Sequence, residues 1–476
     1  MPTPKTTPLE KKQNFTIEVT TPSIPKREVP KHTQRSAWLA DQVPIIDKVP
    51  KSIDALAHYI FKHTGPAPRP IRPLLFEGGS QYGALNFFTQ NLCTAFKLRG
   101  HKAESIDLST AVTGNANKCS AAIKRLDPTL YISMNGIHEA LRLANHKTFA
   151  QHFKVPSISW FVDHPFIQMS RIYGLDYPEK INAHAVVDGY ENVNSRIRQS
   201  DSRGFDTPLP MVGMPLFDVM KPFAERSNRL LVPASFTPFA EKYATLSIPK
   251  YPLLERLCKD TVEYLIASPN NSADTFFMDG LEALGMDPVK IETRLLTILY
   301  VGIHQSAEMY WRENMLKAAK NVPLKLFGRG WEKADFISDK WEVCAPPPMD
   351  VLAQWYADAQ HVWNIFPLYP KTGHDRIFYA TANGANVITE HKDWLGGVYG
   401  DTLNYLTQEF DQVEDALNTM IHAPVADRAE QADRGQRFTL SRRTYLSAVV
   451  NIEQILERHR LRQDMYSGNM TLNETY

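Results

Sequence analysis

The sequence has almost no excess of charge. Its 53 Lys and Arg face 52 Asp and Glu, so no net field draws the chain to nucleic acid or to an anionic membrane surface. Cysteine is scarce: Cys93, Cys119, Cys258 and Cys344 lie far apart, form no C-x-x-C pair and have no His at metal-ligand spacing. That pattern argues against a zinc module and reads as buried thiols in a reducing compartment. The longest apolar run, around LLTILYVGI, is far shorter than the ~20 residues of a membrane span. The first residues are polar, rich in Pro, Lys and Thr, and resemble no signal peptide, so a cytoplasmic protein is expected. There is no D-x-D, which argues against a diphosphate clamped by metal. No G-x-G-x-x-G follows a predicted first strand, which argues against a dinucleotide-dependent enzyme. No cofactor and no metal site is expected.

What the chain does have is apolar residues, 43% of 476, enough for two domains. Residues 1–70 read as a flexible N-terminal arm, most of it residues 1 to about 50, with one short helix over SIDALAHYIFKHTG capped by Ser52. From PLLFEGG the pattern changes to short apolar strand, Gly-rich turn, amphipathic helix and second strand, a βαβ unit that requires a parallel sheet. TLYISMN, SISWFVD and AHAVVD supply three further strands, giving a first Rossmann-like domain over 71–222. The same grammar restarts at RLLVPASFTP and, after a long helical insertion, continues through LKLFGRGW, WEVCAPP, HVWNIFP and ANVIT, a second domain over 223–445. Residues 446–476 read as a C-terminal helix and tail. Two such domains leave a cleft between the carboxyl ends of their sheets, where open α/β folds hold ligands.

Candidate residues are those at strand ends facing that cleft. GHDR (Gly373, His374, Asp375, Arg376) opens a helix. It is either a cap, with Asp375 favouring the helix dipole and Gly384 ending the helix in a left-handed conformation, or a phosphate site in which exposed N–H groups, His374 and Arg376 hold an anion. Gly78, Gly79 and Ser80 follow the first strand, where glycines let backbone amides approach an anion or simply turn the chain. Ser235, Phe236 and Thr237 occupy the corresponding turn of the second domain. In FGRGW, a tight turn with a buried Trp331 accounts for Gly328, Gly330 and the Trp, and nucleotide contact would account for Arg329. Asp163 and His164 end a buried strand and are candidates for acid/base chemistry or for orienting an acceptor, with helix capping as the simpler role.

LFGRGWE, MDVLAQWYADAQHVWNIFP and GHDRIFYATANGANVITE, taken in this order, resemble the C-terminal half of the CgeB-like group of glycosyltransferases, a branch of the group 1 glycosyltransferases with the GT-B fold. WFVDHP and LPMVGMPLFD are similar to its N-terminal half, so the resemblance runs over roughly residues 71 to 450 and leaves the arm outside. It implies a transfer of a sugar from a nucleotide diphosphate donor to an acceptor, without metal and with retention of anomeric configuration. The donor would lie on the second domain and the acceptor over Asp163 and His164. Two positions depart from the group: Asp375 stands where Glu is usual, and Tyr379 falls where a second Glu would hold the donor ribose. A tyrosine cannot accept two hydroxyl hydrogen bonds as a carboxylate does, so a catalytically inactive sugar-nucleotide binder or surface-decorating protein is the alternative.

Overall fold

The computed structural model describes residues 38–108, 112–143, 145–173, 177–186, 204–267, 270–366, 368–406 and 408–466. The expected arm up to residue 37, the end of AHAVVD and the tail SGNMTLNETY lie outside them.

Two six-stranded parallel sheets organise the chain. The first contains β1 (Pro73–Glu77), β2 (Glu104–Asp107), β3 (Leu130–Met134), β4 (Ser157–Phe161), β5 (Lys180–His184) and β6 (Phe205–Pro208), in the order β2-β1-β3-β4-β5-β6. The second contains β7 (Leu230–Pro233), β8 (Leu324–Phe327), β9 (Glu342–Cys344), β10 (His361–Asn364), β11 (Asn386–Glu390) and β12 (Asn404–Leu406), in the order β12-β11-β10-β7-β8-β9. Strands β1, β3, β4, β5, β10 and β11 are buried along their whole length. β1, β3 and β4 accordingly read as largely apolar runs, since helices cover both faces of a parallel sheet. The edge strands β6 and β12 have no such signature, being short and half-exposed, and were not anticipated from the sequence. β5 begins three residues before AHAVVD, at Lys180, and ends at His184.

The insertion between β7 and β8 is helical: the helix Pro252–Ala267 packs on the long helix Thr293–Ala318, and the helix Ala273–Ala283 packs on Pro252–Ala267. Their own core joins Leu257, Val262, Phe277, Leu281, Leu296 and Ile303.

Two parts of the chain lie differently from expectation. Residues 38–50 are docked. Trp38, Ala40, Val43 and Ile46 are buried, the Ile46 amide donates to Ser441 Oγ at 3.0 Å, and Arg442 Nε donates to the Val43 carbonyl at 2.9 Å. The four apolar side chains have no helical or strand period, so composition alone reads them as arm. The C-terminal helix Tyr445–Tyr466 is a wall of the first domain and packs on the helix Ala84–Leu98. Glu453 on it receives both Arg99 Nε and Nη2 at 2.9 Å, and His101 Nε2 lies 2.8 Å away. The chain therefore crosses between the domains twice, once through residues 209–229 and again at 443–444. The crossings touch: the Gly213 amide donates to the Arg443 carbonyl at 2.9 Å, and Gly213 pairs with Thr444 as an isolated parallel bridge.

Candidate active site

A cavity of about 730 Å³ lies between the carboxyl ends of the two sheets, at the points where strand order reverses, β1/β3 in one and β7/β10 in the other. The first domain contributes Ser80, Asn135, Asp163 and His164. The second contributes Ser235, Phe236, Thr237 and the whole of Gly373–Arg376. All but Asn135 were predicted, and these predicted residues are brought together from four separate strand ends.

The helix Asp375–Ala382 starts at this cavity. His374 is its N-cap, with Nδ1 3.4 Å from the Arg376 amide and also in contact with Asp375 Oδ1. Burial and the Arg376 charge push the His374 imidazole below its usual value. Burial would raise the Asp375 carboxyl, but the charge and hydrogen bond of His374 outweigh it and hold it below the usual range. Arg376 reaches Asn364 Oδ1 at 3.5 Å, and Gly384 ends the helix at φ +74°. Capping and an open cation therefore coexist here.

Beside this cation stands a second that the sequence reading missed. Arg312, from the middle of the long helix, lines the cavity and is 2% exposed. It pairs with Glu308 and donates to the Ser235 carbonyl, while its Nε has no partner. Burial lowers its pKa, the Glu308 charge opposes that, and the nearby Arg376 charge adds to it. Two guanidinium groups lining one cavity form a site for an anion.

On the opposite wall, Asp163 Oδ2 accepts from Asn135 Nδ2 at 2.7 Å and Gln168 Nε2 at 3.3 Å. Burial raises this carboxyl, with the two hydrogen bonds pulling against it. Asn135, held at φ +52° just after β3, was not anticipated. His164 is fully buried. Its Nδ1 accepts from the Phe166 amide at 3.2 Å, which leaves Nε2 protonated toward Asp274 Oδ2 at 3.2 Å. With both nitrogens engaged inside the protein, His164 caps the turn Pro165–Gln168, the simpler of the roles expected for it.

Five predicted residues do not line the cavity. The Gly78 amide is taken by Asn86 Oδ1 at 2.8 Å, and Gly79 stands in open space. Trp331 is core, stacked on Phe236 at 5.3 Å. A Cβ at Gly330 would meet the Phe236 carbonyl at 2.0 Å, so this glycine serves the close approach of two backbones. Arg329 lies over the Tyr82 ring at 5.1 Å, and its amide donates to Ser235 Oγ at 3.2 Å. Ser80, although at the cavity, uses Oγ to accept from the Leu85 amide at 2.9 Å.

Tyr379 also differs from expectation. It is fully buried away from the cavity, its hydroxyl receiving Asn91 Nδ2 and donating to Tyr445 Oη, both at 3.0 Å. Its ring stacks on Phe88 at 5.6 Å. It joins the two domains and is not placed to meet a ribose.

Residues 312–455 match the family model described as glycosyl transferase-like. That stretch is a glycosyltransferase-like domain, and the two facing parallel-sheet domains are the GT-B architecture. Comparison with curated protein sequences gives no match. Similar solved structures include sucrose-phosphate synthase from Thermosynechococcus elongatus, with 10% identity over 82% of this chain and 100% of that one and a TM-score of 0.47. An α-glucosyltransferase in complex with UDP and a DNA 13-mer has 9% identity over 82% and 100%, with a TM-score of 0.48. AviGT4, a glycosyltransferase involved in avilamycin A biosynthesis, has 10% identity over 82% and 97%, with a TM-score of 0.43.

Proposed function

We propose that the protein is a GT-B glycosyltransferase that moves a sugar from a nucleotide diphosphate donor to an acceptor hydroxyl or similar group. The observation that carries this reading is the pairing, across one cavity, of two guanidinium groups with a half-buried carboxyl. In this reading the diphosphate rests on Arg312, Arg376 and the N-terminus of the Asp375–Ala382 helix. As the glycosidic bond to the donor breaks, these groups stabilise the growing negative charge on the leaving diphosphate. A leaving group met by fixed cations needs no metal. Asp163, held by Asn135 and Gln168, is the group that meets the acceptor. Ser235 and Thr237 flank the donor, and Phe236 supports them through its stack on Trp331. Retention of configuration and membership of the CgeB-like branch are the finer assignments that the quoted motifs favour. Four free thiols, Cys93, Cys119, Cys258 and Cys344, suit a reducing, cytoplasmic setting.

The inactive-binder alternative drew its support from Tyr379. Tyr379 is buried between Asn91 and Tyr445, so in the present reading the donor ribose is met by other groups of the cavity. Release of free nucleotide diphosphate from a panel of UDP-, GDP- and dTDP-sugars, with and without chelator, tests the proposal. Metal-independent turnover is expected. Binding without turnover by every donor in the presence of lysate acceptors would restore the binder reading.

A further inference from the structure

Beside His164 lies a buried polar group that the mechanism above does not use. His304, on the long helix Thr293–Ala318, lines the cavity and is 5% exposed, and neither ring nitrogen has a hydrogen-bond partner. An imidazole left with two unmet nitrogens in a protein interior is costly. Its polar neighbours cannot relieve it. Asp274 takes the Nε2 of His164 and the hydroxyl of Tyr300, so that cluster is closed on itself. Burial pushes the His304 imidazole down to about 3. At neutral pH it is therefore uncharged, with one N–H donor and one acceptor nitrogen.

The surroundings restrict what such a group can meet. The His304 ring lies 4.2 Å from the Tyr300 ring and 4.9 Å from that of Tyr369, which in turn lies 5.1 Å from His164. Tyr369 holds this position at φ +64°, a conformation uncommon for a bulky residue. A neutral donor–acceptor pair on an aromatic wall does not suit a phosphate or a carboxylate. It suits a hydroxyl, which itself donates and accepts, on a ring whose C–H faces pack against aromatics. Position along the helix says which hydroxyl. His304, Glu308 and Arg312 are spaced by four residues and all line the cavity, so they share one face and climb about 12 Å from the arginine to the histidine. The arginine end holds the diphosphate in the reading above, and the histidine end adjoins the Asp163–His164 loop. The transferred sugar lies between them.

We infer that His304 reads a hydroxyl of the transferred sugar, with Tyr369 as the platform beneath the ring. The inference rests on the donor assignment above and adds a specificity-determining residue to it. The test compares binding of UDP, GDP and dTDP with that of UDP-glucose, GDP-mannose, dTDP-glucose and their singly deoxygenated analogues. The proteins are wild type, His304→Phe and His304→Gln. Removing the pair of nitrogens is expected to weaken the sugar nucleotide about 5- to 30-fold and to leave the bare diphosphate unchanged. His304→Gln, which keeps a donor and an acceptor, recovers part of the loss. One deoxy donor should bind wild type as poorly as the parent donor binds His304→Phe, with no further loss in the double combination. Wild type that binds a diphosphate, together with a His304→Phe variant that binds parent and deoxy donors as wild type does, would overturn the inference alone and make His304 a packing residue. Wild type that binds no nucleotide would overturn the donor assignment and this inference together.

Discussion

Two loops of the second domain look alike in sequence: Gly328-Arg329-Gly330 after β8 and Gly373-His374-Asp375-Arg376 before the Asp375–Ala382 helix. Each sets an arginine among glycines at the carboxyl side of the same sheet. Only the second loop lines the cavity throughout. In the first, the backbone is consumed by neighbouring backbone and the arginine lies on the Tyr82 ring. In the second, the cap is satisfied by His374 and the guanidinium remains near Asn364 and Arg312. Glycine and arginine at a strand end therefore identify a close approach of chain, and the partners of the amides decide whether it meets protein or ligand.

Substitutions sharpen this contrast. The largest effect is expected from Arg312→Met, which leaves Glu308 as an unpaired, poorly solvated charge. A loss of about 3–5 kcal/mol in stability, read by denaturant unfolding, should accompany loss of nucleotide diphosphate binding. Unchanged stability and binding would remove Arg312 from the site. Arg376→Ala should cost about 1.5–3 kcal/mol of donor binding, or 10- to 150-fold, with little change in melting temperature because the side chain is half-exposed. If instead the melting temperature falls while binding is kept, the loop is a cap only.

Asp375→Asn separates the two functions of the same loop. Its folded pKa is depressed by His374, so the carboxylate stabilises the fold above the unfolded value near 3.9. That contribution disappears as pH falls through the lower folded value. The variant should lose about 0.3–1 kcal/mol at neutral pH and show a flatter acid limb in a plot of stability against pH. An unchanged acid limb would show that the His374–Asp375 pair contributes nothing. The smallest effect is expected from Arg329→Ala, which should shift stability by less than about 0.5 kcal/mol and leave nucleotide affinity at the wild-type value. A tenfold loss of affinity there would erase the distinction between the loops.

The same contrast explains what was legible beforehand. Asp163 and Ser235 could be found because they closely follow apolar strands, and Arg376 because it opens the helix Asp375–Ala382, and topology sends those ends to one cleft. His304, Glu308 and Arg312 could not be found in this way, since a helix of 26 residues offers many faces and only its packing selects one. A usable signal was present: three polar side chains at spacing four, His304, Glu308 and Arg312, within ILYVGIHQSAEMYWRENML. Residues 38–46 escaped for the converse reason, being buried without any period. Tyr379 was located by its place in a motif, but its hydroxyl contacts depend on Asn91 and Tyr445, which are distant in sequence.

The paired crossings at Gly213 and Thr444 have a mechanical consequence. Bodies joined by a single strand of chain can swivel about it, whereas two adjacent, hydrogen-bonded strands resist torsion and leave bending as the soft mode. A Cβ at Gly213 would meet the Phe378 carbonyl at 2.2 Å, so this junction also bears directly on the helix that begins at Asp375. A bend at the junction would therefore press on Phe378, one turn along the helix from His374 and Arg376, and would couple the opening of the cleft to the aim of its cations.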